Sequence, residues 1–304
     1  MAAKPSASDW ISAMRLRTLP LSLSSILVGG AIVSFKPGSF ALILTLAILT
    51  TIALQVLSNF ANDYGDTQNG GDTDDRIGPQ RAVQAGTISP SQMKKAMLLT
   101  GVVAFGLGLA LIFFSLQGND NWWLIALFIA LGLGAIGAAI KYTAGKNPYG
   151  YRGLGDVFVF LFFGLIGVGG TYFLIQQDVT WEMILPAITI GAFATAVLNL
   201  NNMRDITSDA LTGKRTLVVM LGAAKAKRYH FALVIIGWLS LSVFLVLFSK
   251  SPWMWLSMLP ILLHIKHLAK VARTTEASDF DPELKVMALS TFVVSLLLFG
   301  TSLI

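Results

Sequence analysis

Nine apolar runs, each close to the length of a bilayer crossing, leave this chain few folds to adopt. A crossing helix needs about 17 to 25 mainly apolar residues. Such runs occur at 19–33, 40–62, 93–116, 122–141, 156–175, 181–201, 229–248, 253–268 and 284–304. Mean hydropathy is +0.70 and only 12% of residues are charged, so water is not the solvent for most of the surface. The expectation is an all-α membrane protein of nine transmembrane helices, one domain over residues 1–304. The first run carries Pro20, lacks a small-x-small cleavage site and precedes eight more, so it reads as a retained span. Before it, Trp10, Ile11, Met14 and Arg17 recur at helical spacing, which suits residues 1–18 to a helix in the membrane interface.

Basic residues set the orientation. With the N-terminus in the cytoplasm and the C-terminus outside, 20 of the 22 Lys and Arg fall on the cytoplasmic side, and only Lys36 and Lys250 fall outside. That partition follows the positive-inside rule. The net charge of +6 is therefore a topological signal, and no nucleic-acid partner is implied. Without cysteine, disulfides, thiolate catalysis and iron–sulfur ligation are excluded. Outside connections are short, whereas cytoplasmic loops at 63–92, 142–156 and 202–228 are long, so the working face is expected there. Ser89 and Pro90 read as the cap and first turn of the third span.

Polarity rises at the cytoplasmic ends of two spans together: Gln55, Ser58, Asn59 and Asn62 in the second, Thr195, Asn199, Asn201 and Asn202 in the sixth. Carboxylates follow both. Asn62 and Asp66 are four apart, as are Asp205 and Asp209, and residues at that spacing share a helix face. Crowded carboxylates repel. Oxygen ligands presented this way suit Mg²⁺, which takes one or two carboxylates along with phosphate oxygens. Lys214 and Arg215 after the second cluster, and Arg76 and Arg81 after the first, suit the phosphate. The pattern points to a diphosphate on a long hydrocarbon, held at the membrane surface. A transporter using the same carboxylates would also place ionisable groups at mid-membrane, and this chain has none there. His264 and His267, three apart beside Lys266, are expected in solvent or at the interface, and with His230 make no metal set. Gly150 to Gly155 (GYRGLG) follows no strand and reads as a turn.

At these residues the sequence resembles the UbiA superfamily of intramembrane aromatic prenyltransferases. RLRTLPLSL, NDYGDTQNGGDTDDRIGPQRAVQAG, YGYRGLGDVFVFLFFG and NNMRDITSDALTGKRTLVVMLG are similar, in order and spacing, to the branch that prenylates 1,4-dihydroxy-2-naphthoate. The resemblance implies a nine-helix bundle in a bacterial inner membrane. It also implies transfer of a polyprenyl chain from its diphosphate to 1,4-dihydroxy-2-naphthoate, with loss of CO₂ and diphosphate, giving demethylmenaquinone. Asn62, Asp66, Asp205 and Asp209 match the family's Mg²⁺-binding motifs, and catalysis would turn on Asp66, Asp205 and Asp209. Where many members have a third carboxylate this chain has Gly70, and Asp72 follows as a candidate ligand. Arg81 matches the basic stretch beyond the first motif and, with Lys146, Lys214 and Arg215, would bind diphosphate. Tyr142, Lys146 and Asp156 fall in the loop that covers the site in relatives. Tyr64, Phe160, Phe162 and Phe163 are candidates to shield an allylic cation. Relatives with another acceptor, such as 4-hydroxybenzoate, homogentisate, haem or chlorophyllide, are the alternative.

Overall fold

The computed structural model describes residues 5–34, 38–70 and 80–304, and among them the chain is helical with no strand. Asp72 and Arg76 lie outside the described residues. Seven helical segments among the described residues are long and apolar enough to cross a membrane: Phe40–Gln68, Pro90–Ser115, Trp122–Lys141, Gly155–Gln176, Trp181–Arg204, Ala223–Phe248 and Ala277–Thr301. The other two expected runs are shorter. The first is α2 (Leu19–Ala31), entered through a 3-10 turn at Leu16–Thr18 with Pro20 in its first turn. The other is split into a 3-10 stretch, Pro252–Met258, and α12 (Ile261–Arg273), with Pro260 at the junction. Proline removes a backbone donor and belongs at the start of a helix, so it divides the run there.

The long helices are α3 (Phe40–Gln68), α4 (Pro90–Ser115), α5 (Trp122–Lys141), α8 (Ile184–Arg204), α11 (Ala223–Phe248) and α13 (Phe280–Thr301). α4 starts as its sequence dictates, with Ser89 as cap, Pro90 in the first turn and Gln92 closing the capping box. α8 is the central helix, buried along most of its length, whereas α5 has no buried residue. Between them, α6 (Gly155–Val159) and α7 (Gly170–Gln176) are joined by a π-helical stretch, Phe160–Gly169. Glycines let this stretch approach its neighbours. A Cβ on Gly164 would lie 2.5 Å from the Ala187 carbonyl oxygen of α8, and one on Gly167 would lie 2.7 Å from Cβ of Ser25 on α2. Small residues at such contacts are what drives helix association where lipid removes the hydrophobic gain.

The N-terminal helix α1 (Ala7–Met14) forms, capped by Ser6 with Asp9 closing the box. Its apolar face is partly used within the protein: Trp10 meets Phe60 edge-on at 5.9 Å, and Met14 packs with it against α3 and α4.

The histidines depart from expectation. His230, His264 and His267 are all buried. α12 is amphipathic and turns His264, His267 and Val271 inward, while Lys266, Lys270 and Arg273 are exposed. Inside, the imidazoles meet one another and their neighbours: His230 Nε2 meets His267 Nε2 at 2.8 Å, Trp238 donates to His264 at 2.9 Å, and His267 meets Glu283 at 2.6 Å. Lys270 covers Glu283 from outside at 2.8 Å. Lys266 is no sign of exposure for its neighbours, because residues one or two apart on a helix face different ways, whereas His264 and His267, three apart, share a face.

Candidate active site

α3 does not stop at the end of its apolar run but continues two turns to Gln68, carrying Asn62, Asp63, Tyr64 and Asp66 as helical residues. Asp63 turns away from the cavity. Its two carboxylate oxygens accept the backbone N–H groups of Ala82 and Val83, each at 3.0 Å, which ties the returning chain to α3 and brings Arg81 over the motif. Arg81 then donates to the Asn62 carbonyl and forms an ion pair with Asp66. On the other side, Thr143 donates to the Ala61 carbonyl and to the Asn62 side chain, both at 3.0 Å, and Asn69 donates to the Thr143 carbonyl at 2.7 Å. Gly65 makes this clasp possible: a Cβ there would lie 2.5 Å from the Thr143 carbonyl carbon. From the same connection Tyr151 donates its hydroxyl to Asp66 at 2.8 Å.

The second motif straddles a break. α8 ends at Arg204, Asp205 occupies the junction, and α9 (Ile206–Leu211) carries Asp209. The Asp209 N–H still bonds to the Asp205 carbonyl at 2.8 Å, so the four-residue spacing survives. α9 closes with Gly213 at φ 75°. The Lys214 N–H returns to the Asp209 carbonyl at 2.8 Å and the Gly213 N–H to Ala210 at 3.3 Å, a Schellman arrangement. That turn folds the Lys214 ammonium back to 3.1 Å from Asp209. Arg204 grips Asp205 with a two-pronged contact, Nε and Nη2 each at 2.8 Å, and reaches Asp281 on α13 at 2.6 Å and Asn201 at 2.9 Å. Each motif carboxylate thus has one cation beside it: Arg81 for Asp66, Arg204 for Asp205, Lys214 for Asp209.

Both motifs open onto one cavity of about 870 Å³, lined by Asn62, Asp66 and Arg81 on one side and by Asp205 and Lys214 on the other. The cavity is long. From this acidic end its lining runs to Leu124 at the start of α5 and Val179 beyond α7, at the opposite ends of the helices. An aromatic row borders it near the acidic end: Tyr142 meets Tyr149 at 5.3 Å, Tyr149 stacks on Phe158 at 4.1 Å, and Phe158 on Phe162 at 6.1 Å. Phe163 also lines it.

Not every residue chosen from sequence meets there. Tyr64 packs in the smaller core with α1 and α4. Phe160 lies against Gly191. Lys146 and Arg215 are exposed and outside the lining. Asp156 and Asp209 are buried, and neither is part of the lining. The tyrosines Tyr149 and Tyr151, and Arg204, were not selected from the sequence. For Tyr151 the available signal was its place in YGYRGLG beside a covering loop.

Burial pushes the Asp209 carboxyl above its ordinary value; Lys214 pulls it back down, and the neighbouring Asp205 and Asp66 add to the rise. The Tyr142 phenol is raised too, first by burial and then by Asp156 and other anions around it, so it stays neutral. Oδ2 of Asp209 is buried with no hydrogen-bond partner. A buried anionic oxygen left so is costly, and a cation relieves it. The donors are carboxylate and amide oxygens alone, the set a hard divalent cation takes. No three His, Asp or Glu among the described residues gather tightly enough to hold an ion alone, which fits an ion completed by a ligand's phosphate oxygens.

Two acidic motifs facing each other at the polar mouth of a long apolar cavity in an α-helical membrane bundle are the attributes of an intramembrane prenyltransferase. The chain belongs to the UbiA prenyltransferase family, whose model matches residues 22–298. It is 44% identical to the 1,4-dihydroxy-2-naphthoate octaprenyltransferase of Haemophilus influenzae over 95% of this chain and 93% of the relative. With the protein of that name from Escherichia coli it shares 40% over 95% of this chain and 92% of the relative. Among solved structures, a UbiA homolog from Archaeoglobus fulgidus bound to GPP and Mg²⁺ superposes with a TM-score of 0.70 at 15% identity, covering 97% of this chain and 98% of that one. The apo UbiA homolog from Aeropyrum pernix K1 gives 0.67, covering 92% and 98%. At these identities the structures establish the shared fold.

Proposed function

We propose that the protein transfers a polyprenyl chain from its diphosphate to 1,4-dihydroxy-2-naphthoate. The observation that carries the reading is the pairing of a polar, carboxylate-lined mouth with a cavity that continues between the helices to their other ends. The diphosphate would sit between Asp66 and Asp205, with its prenyl chain along the apolar length. Support for this acceptor comes from the relatives named above.

Asn62, Asp66, Asp205 and Asp209 would hold Mg²⁺, which when bound offsets the charge developing on departing diphosphate. Lys214 and Arg81 sit beside those carboxylates and are placed to contact phosphate oxygens as well. Once the allylic C–O bond breaks, with its electron pair leaving on diphosphate, the cation is shielded by Tyr149, Phe158 and Phe162, whose faces attract positive charge and whose bulk excludes water. The ring carbon bearing the carboxylate supplies the pair for the new C–C bond. The carboxylate then departs as CO₂ and returns its bonding pair to the ring, so the product is the hydroquinone form of demethylmenaquinone. No separate base is required. Membranes containing the protein, given 1,4-dihydroxy-2-naphthoate, a series of prenyl diphosphates and Mg²⁺, are expected to yield this lipid by mass spectrometry; no prenylated naphthalene with any donor would overturn the reading.

The chain would cross the inner membrane nine times, with α2 and the broken 252–273 segment as the two shorter crossings and the acidic mouth facing the cytoplasm. The support is the partition of basic residues. A reporter after Ile304, or inserted within 117–121, is then expected on the outer side; labelling of either only from the cytoplasm would refute the topology.

A further inference from the structure

Six basic residues line the cavity: Arg15, Arg17, Arg81, Arg204, Lys214 and Lys285. Three of them are paired with the motif carboxylates, as described above. Arg17 and Lys285 pair with no carboxylate among the described residues, and both are exposed to the cavity mouth. Arg17 lies in the turn that leads into α2, and Lys285 lies on α13, which packs against α2. α2 and α13 pack together, both start at the acidic end, and Gly30 of α2 contacts Phe299 of α13. Both residues therefore enter the cavity lining from its acidic end.

The segment bearing Arg17 is fixed in place. Asn59, buried on α3, donates to the Met14 carbonyl at 2.8 Å and to the Thr18 hydroxyl at 3.0 Å. Between those two anchors Arg15 adopts a left-handed conformation, φ 48° and ψ 54°, which a non-glycine residue holds only where its surroundings impose it. Across from this turn, Gln55 and Ser58 of α3 line the same stretch of cavity and offer hydrogen bonds.

We propose that Arg17 and Lys285 form the subsite for the carboxylate of the aromatic acceptor, with Gln55 and Ser58 facing its ring hydroxyls. The inference rests on the proposed function. Its logic is charge accounting: the diphosphate end already holds its own cations, so a second anionic substrate needs others, and these two line the same cavity with no carboxylate paired to them among the described residues. Because the carboxylate leaves as neutral CO₂, the contact serves binding and not the bond-forming step, so it acts through KM.

Arg17→Gln and Lys285→Gln are therefore expected to raise the KM for 1,4-dihydroxy-2-naphthoate by roughly tenfold to a hundredfold, the range for a charge-assisted contact, with kcat held or raised. The KM for prenyl diphosphate stays unchanged, which also reports that the fold is intact. As a competitor, 1,4-naphthalenediol is expected to bind more weakly than the naphthoate to the unmodified protein and about equally to Arg17→Gln, while Arg17→Lys keeps part of the preference. An unchanged naphthoate KM in both Gln variants overturns the subsite, as does an equal rise in both substrates' KM. If the unmodified protein prenylates no naphthoate at all, the reading of function fails first, and that result is distinct because it appears before any variant is made.

Discussion

Turnover is expected to fall by about 10²- to 10³-fold when Asp66, Asp205 or Asp209 is replaced by Ala, the range seen when one group stabilising developing negative charge is removed. Each carboxylate is buried and each has a cation of its own, so its loss removes a metal ligand and also leaves a buried cation unbalanced. Asp209 is the sharpest case, since one of its oxygens has no partner in the protein. Lys214→Ala should be milder, about tenfold to a hundredfold, because the ammonium is one of several positive groups at the mouth. Asp120→Ala, in the connection between α4 and α5, should leave turnover unchanged. Initial rates with saturating substrates and Mg²⁺ measure all of these. Full activity of the unmodified protein in excess EDTA would defeat the metal assignment.

The roles of the carboxylates were only partly legible in the sequence. NDYGD spells four polar or small positions in five, and i,i+4 spacing correctly puts Asn62 and Asp66 on one face. Nothing in that spacing tells Asp66, which faces the cavity, from Asp63, which is used to hold the backbone at Ala82 and Val83. The distinction depends on where a chain segment returns about twenty residues later, and that is a property of tertiary folding. Gly65 shows the same limit. Its need for a bare Cα arises from the Thr143 carbonyl, a contact between two distant segments.

The apolar helices were easier to read because the bilayer dictates length and composition directly. The exceptions also have a physical origin. α12 is short and amphipathic, and its buried histidines are hydrogen-bonded to partners on α11 and α13, so hydropathy underreports how deeply it is buried. The aromatic row was legible in part: Tyr142, Phe162 and Phe163 were candidates, whereas Tyr149 and Phe158 were not. Among 19 Phe, those that line the cavity come from α5, α6, α7 and the π-helical stretch, so composition alone does not single them out. Of the three candidates on that stretch, Phe162 and Phe163 line the cavity and Phe160 does not.

Arg204 offers the second large effect, and a way to separate charge balance from catalysis. Its guanidinium is buried and makes a two-pronged contact with Asp205, which is equally buried. Removing one member of such a pair leaves an uncompensated charge, and the cost is about 3–5 kcal/mol, with water in the adjoining cavity favouring the lower end. Arg204→Ala is therefore expected to lower the unfolding temperature of the detergent-solubilised protein clearly when EDTA is present. A divalent cation at Asp205 would replace the missing charge, and a ligand that binds only the folded state stabilises it in proportion to the logarithm of its concentration over Kd. Mg²⁺ should accordingly stabilise Arg204→Ala more than it stabilises the unmodified protein, where Arg204 already balances Asp205. Arg204→Lys should not rescue fully, because a lysine cannot reproduce the two-pronged contact or reach Asp281 at the same time. Asp281→Asn, at the more exposed end of the cluster, should cost little. Equal stability of Arg204→Ala and the unmodified protein in EDTA would mean that the Arg204–Asp205 pair contributes nothing to the fold. An identical Mg²⁺ shift in both would mean that the cation binds away from Asp205, and the metal would then have to be assigned to Asp66 and Asp209 alone.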